Sequence, residues 1–224
     1  MGPHTSLSCS DLTFVFKLIQ WPAVERVPVF DFLKVLLLDP GCTTLYKGRN
    51  SGIQIYNCVC ATLTDVEGNA PLATVSLQLL ANMFVLTLPR NIALAHFDRT
   101  IQAINDGGAI CQKMVQQAHS VCIENLIIAC SDRTKDRSEK ILGCLQSALY
   151  TLRRTKDAES WLGSVMLRHC RSLETLVYFD NKVPALLRKL GLLQMILDVA
   201  AEILPMKERR MVEESVDKLS QRIS

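Results

Sequence analysis

Residues 21–40 read WPAVERVPVFDFLKVLLLDP. The segment is apolar enough to belong to a core, yet it carries Asp31 and Lys34 three residues apart. On a helix that spacing puts both on one face. A helix over residues 29–38 would bury Val29, Phe30, Leu33, Leu36 and Leu37 and bring Asp31 and Lys34 to its edge. There they either hold each other or face a partner, and which of the two applies bears on what the chain does.

The same period of three to four residues runs outward in both directions, and strands are scarcely signalled. It predicts helices over 12–20, 29–38, 53–63, 72–86, 92–104, 109–130, 135–153, 160–179, 183–190, 192–204 and 207–222. Helix-ending residues stand between them: Pro40-Gly41, Lys47-Gly48, Glu67-Gly68-Asn69, Pro89, Asp106-Gly107-Gly108, Ser131-Asp132 and Gly191. None of these breaks is long enough for a domain linker. The expected organisation is a flexible N-terminus over 1–10 followed by a single domain over 11–224. Short loops between medium-length helices favour stacked helix pairs over a closed bundle, and a repeat of about 40 residues is of the Armadillo or HEAT class. The fold class predicted is therefore an all-α helical-repeat solenoid. Its concave surface suits an extended peptide, and the alternating charges of the last helix suit a polar end cap.

Composition narrows the functions further. The 224 residues are 49% hydrophobic, enough for a large core, and the net charge is +3. That surplus is too small for wholesale binding to nucleic acid or a membrane surface, so neither is an expected partner and any basic site must be a local patch. Nine cysteines, an odd number scattered through helical segments, suggest buried thiols in a reducing compartment. The start, MGPHTSLSCS, lacks a basic region followed by an apolar run, so no signal peptide is expected. The expected location is the cytoplasm, with the nucleus as a second compartment. Residues 69–89 carry no charge over the length of a membrane span, but Ser76, Gln78 and Asn82 recur at helical spacing, which suits a helix buried among others.

Catalytic constellations are missing. There is no Gly-rich phosphate loop, Gly-x-Ser-x-Gly, HExxH or CxxC, and no cofactor is expected. His119 and Cys122 could share a helix face, and His169 and Cys170 could not, so together they fall short of four tetrahedral ligands. Cys58, Cys60, Cys111, Cys122, Cys130 and Cys144 sit among aliphatic neighbours at helical positions, where cysteine is a small core residue. Among the basic residues Lys34, Arg90, Arg153, Arg154, Arg168, Arg171, Arg188 and Lys189, Arg171 stands out. It opens the apolar run RSLETLVYF, where a guanidinium must pair locally or turn its fork toward a ligand carboxylate.

Three segments together resemble the PUL domain, the C-terminal Armadillo-like module of the phospholipase-activating protein group of ubiquitin-binding proteins. WPAVERVPVFDFLKVLLLDP is similar to that domain's opening signature through Trp21, Pro22, Pro28, Val29, Phe30, Asp31 and Lys34, with Lys where Arg is more usual. PLATVSLQLLANMF resembles an apolar helix ending in Asn-x-Phe, here Asn82 and Phe84. RSLETLVYFDNKVPALLRKLGL resembles a late helix beginning with Arg, here Arg171, and a following helix ending at Leu190-Gly191. The resemblance implies about six Armadillo-like repeats, no catalytic activity and a monomer as an isolated domain. It also implies a basic groove that binds the acidic, Tyr-bearing C-terminal tail of the valosin-containing-protein type AAA ATPase. Phosphorylating that Tyr would add charge and bulk at the pocket.

On this resemblance the partner-binding residues are Arg171 first, then Lys34, oriented by Asp31, with Asn82 on the peptide backbone. Gln78 stands where the family carries Arg, which subtracts one cationic contact, and the loop near Asp180-Asn181 is shorter. Two other readings stay open: a helical-repeat scaffold with a different peptide partner, and a domain accompanying a cysteine hydrolase.

Overall fold

The computed structural model describes residues 9–39, 51–131, 137–155 and 160–223. Among them it contains twelve α-helices, one short 3-10 turn and no strand. This is the all-α helical-repeat fold that the period predicts. Residues 1–8 of the expected flexible N-terminus and the breaks at Pro40-Gly41 and Lys47-Gly48 lie outside the described residues. Contacts divide the chain into two compact units, Met1–Gly107 and Gly108–Ser224.

The first unit contains α1 (Cys9–Leu18), a 3-10 turn (Ala23–Glu25), α2 (Arg26–Leu36), α3 (Ser51–Thr64), α4 (Ala70–Met83), α5 (Thr87–Ala95) and most of α6 (Phe97–Gly108). Pro28 falls in the first turn of α2, where a missing N–H leaves no bond unmade. Val29, Phe30, Leu33 and Leu37 then form a buried stripe at helical spacing, while Leu36 is half-buried. That stripe packs on α4. The α4 helix starts cleanly because the Asn69 carboxamide oxygen accepts from the Leu72 N–H at 3.1 Å and Pro71 occupies the first turn. It is buried around most of its circumference, from Ala70 to Met83. No helix among the described residues is long and apolar enough to cross a membrane. The α4–α5 pair reaches that length only together, and it is bent by 108°.

Two boundaries differ from the sequence expectation. The helix expected over 92–104 is two helices, broken at His96, whose backbone leaves the helical region (φ −111°, ψ 43°). Carbonyls near the break are taken up by side chains: Thr100 Oγ1 donates to the Ala93 carbonyl at 2.8 Å, and Tyr56 Oη donates to the His96 carbonyl at 3.1 Å. Periodicity alone does not show this, because both halves keep the same apolar stripe. Asp106-Gly107-Gly108, expected as a break, forms the last turn of α6, which ends at Gly108. These glycines serve close approach: a Cβ on Gly107 would lie 2.5 Å from Leu63 Cδ2, and one on Gly108 2.4 Å from His119 Nε2. Pro89, expected as a break, sits in the first turn of α5.

The second unit holds α7 (Lys113–Ala129), α8 (Ser138–Arg153), α9 (Ser160–Phe179), α10 (Val183–Leu190), α11 (Leu192–Ile203) and α12 (Met206–Ile223). Helix α9 packs on α7 and α12, and α8 on α11. Its buried stripe runs Leu162, Val165, Met166, His169, Cys170, Leu173 and Leu176. Gly191, at φ 60°, ends α10 in the left-handed region where a side chain would be strained. Asp180 is buried and accepts from Ser138 Oγ at 2.6 Å and the Lys182 N–H at 3.0 Å, tying α8 to the start of α10. Helix α12 buries only Val212, Val216 and Leu219 and leaves its charges outside.

Candidate partner-binding site

Helices α2 and α4 bring four of the five sequence-predicted site residues together. Lys34 lies in the last turn of α2, and its Nζ contacts Asp31 Oδ1 at 2.6 Å and donates to Gln78 Oε1 of α4 at 2.9 Å. One turn further along α4, Asn82 Nδ2 donates to the Lys34 backbone carbonyl at 2.7 Å. Carbonyls in the last turn of a helix lack intrahelical partners, so Asn82 closes α2 from the neighbouring helix. The ammonium is thereby directed: its side chain is 27% exposed, while that of Asp31 is 59% exposed. Two of its three donors are engaged. One N–H of Lys34, the remaining amide groups of Gln78 and Asn82 and the exposed Asp31 oxygens form a compact set that can bond a peptide backbone.

Apolar side chains flank this set. Val35 and Leu38 fall off the buried stripe of α2 and stay exposed, as does Val85, whose N–H bonds the Asn82 carbonyl at 3.1 Å. In the sequence they merge into runs that look uniformly like core. Their angular offset from Val29, Phe30, Leu33 and Leu37 was the available signal.

Arg171 lies on α9 in the second unit, exposed, and its guanidinium makes no ion pair with a described residue. Most of the other basic candidates are engaged. Arg153 pairs with Glu202, Arg168 with Glu124 at 2.9 Å and Lys189 with Glu139 at 3.9 Å, and Arg188 Nη1 donates to the Ile223 carbonyl at 2.7 Å. Two turns along the same face of α9, Tyr178 is 84% exposed and meets Phe179 edge-on at 5.4 Å. A cation and an aromatic at i and i+7 make a stripe suited to an acidic, aromatic-bearing peptide. Sequence reading missed Tyr178 because it closes an otherwise buried run.

Comparison with known families decides the membership. The family model of the PUL domain matches residues 4–216, nearly the whole chain. The chain belongs to the PUL domain family. No curated relative and no solved structure matches it. The PUL domain is a helical protein-interaction module, and in this PUL domain the matched region includes both Lys34 and Arg171.

The thiols of this PUL domain are mostly core groups. Burial pushes up those of Cys60, Cys130, Cys144 and Cys170, the last two to about 12, so they are neutral at pH 7. Among the described residues no three His, Cys, Asp or Glu side chains group as metal ligands.

Proposed function

We propose that this chain is a non-catalytic adaptor module that binds the C-terminal tail of the valosin-containing-protein type AAA ATPase and serves ubiquitin-dependent degradation. The observation that carries the proposal is the convergence of Lys34, Asp31, Gln78 and Asn82 from two helices onto one exposed, apolar-rimmed position. On the first unit Lys34 supplies charge for the acidic tail and Val35, Leu38 and Val85 supply area for its Tyr; on the second, Arg171 and Tyr178 form a separate stripe of the same chemistry.

The test is a titration with a labelled peptide copying that tail. Binding in the micromolar range is expected, weakened by salt and lost in Lys34→Ala, with Arg171→Ala testing the second unit's stripe separately. Lys34→Ala removes an ion pair worth only ~0–1 kcal/mol, so the variant stays folded. Unchanged affinity in both variants overturns the assignment. A second reading, a PUL scaffold with another peptide partner, is favoured by Gln78, which accepts a bond from Lys34 where the family has a further cation. It predicts a folded chain that ignores the tail.

A further inference from the structure

The start of α2, where it meets α3, carries a second polar site. Between the end of α1, the start of α2 and α3 lies an open cleft of about 380 Å³ lined by Ile19, Gln20, Arg26, Gln54, Asn57 and Cys58. Arg26 is half-buried there. Its Nε donates to the Trp21 carbonyl at 2.6 Å and its Nη1 to Thr62 Oγ1 at 2.9 Å. Both acceptors are neutral, and no described residue offers Arg26 a carboxylate. That distinguishes it from Arg153, Arg168, Arg209 and Arg222, each of which meets a Glu. A partly desolvated guanidinium without a counter-charge has lost hydration that only an anion restores in full.

The rest of the lining is neutral and capable of hydrogen bonding. Asn57 is held from outside the cleft, its Oδ1 accepting from Arg99 Nη1 at 2.6 Å, which leaves its carboxamide N–H groups for another acceptor. Cys58 Sγ donates to the Ile19 carbonyl at 3.1 Å, so the sulfur sits as a neutral thiol. Burial of Cys58 raises its pKa, although Arg26 acts in the opposite direction. The cleft wall thus carries one positive charge, two fixed guanidinium bonds that orient the fork, and three primary amides.

We infer that this cleft binds a single carboxylate group, with Arg26 taking the charge and the amides of Gln20, Gln54 and Asn57 receiving the polar atoms next to it. One formal charge matches a carboxylate; a phosphate dianion calls for several cations or a nest of backbone N–H groups. The volume suits one acidic side chain with its flanking peptide units, or a small organic acid. The inference is independent of the tail-binding reading, because Arg26 bonds to α3 through Thr62 whereas Lys34 bonds to α4 through Gln78.

The experiment is NMR titration of the isotopically labelled chain with N-acetyl-glutamate N-methylamide, its glutamine counterpart and propionate. We expect the glutamate compound to shift the side-chain amides of Gln20, Gln54 and Asn57, and the glutamine compound to leave them in place. Affinity should fall about tenfold or more in Arg26→Gln. Because Arg26→Gln also removes the Thr62 bond, Gln54→Glu is the second variant. It keeps Arg26 and both its bonds but sets a carboxylate in the cleft, and it too should block binding. Tighter binding of the glutamate compound than of propionate assigns the site to a carboxylate within a peptide; equal binding assigns it to small acids. Equal shifts from the glutamine compound, or full binding by Gln54→Glu, overturn the inference.

Discussion

His169 should make the second unit sensitive to acid. Its ring lies within the buried stripe of α9, 1% exposed, and neither ring nitrogen makes a hydrogen bond. Burial, with His119 of α7 and Arg168 adding positive charge nearby, holds its pKa down at about 3 against the ordinary 6.5. Arg168 itself is paired with Glu124 of α7. A base with a depressed pKa takes up its proton only on unfolding, so the folded state loses ground as pH falls from 6.5 toward 3 and is unaffected above 6.5. At pH 5 the unfolded chain lies 1.5 pH units below its own pKa while folded His169 is still neutral. At 1.36 kcal/mol per unit, the loss between pH 7 and pH 5 is about 2 kcal/mol. Trp161 of α9, 7% exposed, reports on this unit, and Trp21→Phe removes the other indole. Urea denaturation followed by Trp161 fluorescence should show a midpoint about 1 M lower at pH 5 than at pH 7, for a slope near 2 kcal/mol/M. His169→Leu, similar in volume, should abolish that difference. Parallel pH dependence in the two proteins would exclude His169 as its cause.

Two further outcomes test the packing. Gly143 and Gly108 should respond oppositely to alanine: Gly143 has nothing within 4 Å of a new Cβ and should gain ~0.5–1 kcal/mol of helix propensity, whereas Gly108 faces the buried His119 ring and should lose about 1–3 kcal/mol. Thermal denaturation of the two variants measures both. Asp180→Ala should cost about 2–3 kcal/mol by denaturant titration, because a buried carboxylate bonded to Ser138 and the Lys182 N–H is removed. Adding Ser138→Ala to that variant should cost little more, since the two side chains share the bond.

The helices were legible because their cause is local. The stripe of Val29, Phe30, Leu33 and Leu37 and the signals at Asn69-Pro71 and Gly191 act within a few residues, and each is recovered in the structure. The break at His96 was not legible, because the groups that support it, Tyr56 and Thr100, come from a separate helix and from beyond the break. The glycines at 107 and 108 end α6 as the sequence suggests, and their second role, as spacers under Leu63 and His119, is set by other helices.

The candidate site divides in the same way. From the sequence by itself came the all-α class, the family resemblance and the opposed charges of Asp31 and Lys34 on one helical face, all properties of short-range spacing. Only the tertiary structure decided that Lys34 meets Gln78 and that Asn82 closes α2, and that most of the other basic candidates are engaged elsewhere while Arg171 is not. It also decided that Arg26 stands in a cleft without a carboxylate. A side chain's charge is written in the sequence. Whether that charge is neutralised depends on residues tens of positions away, and only packing brings those alongside.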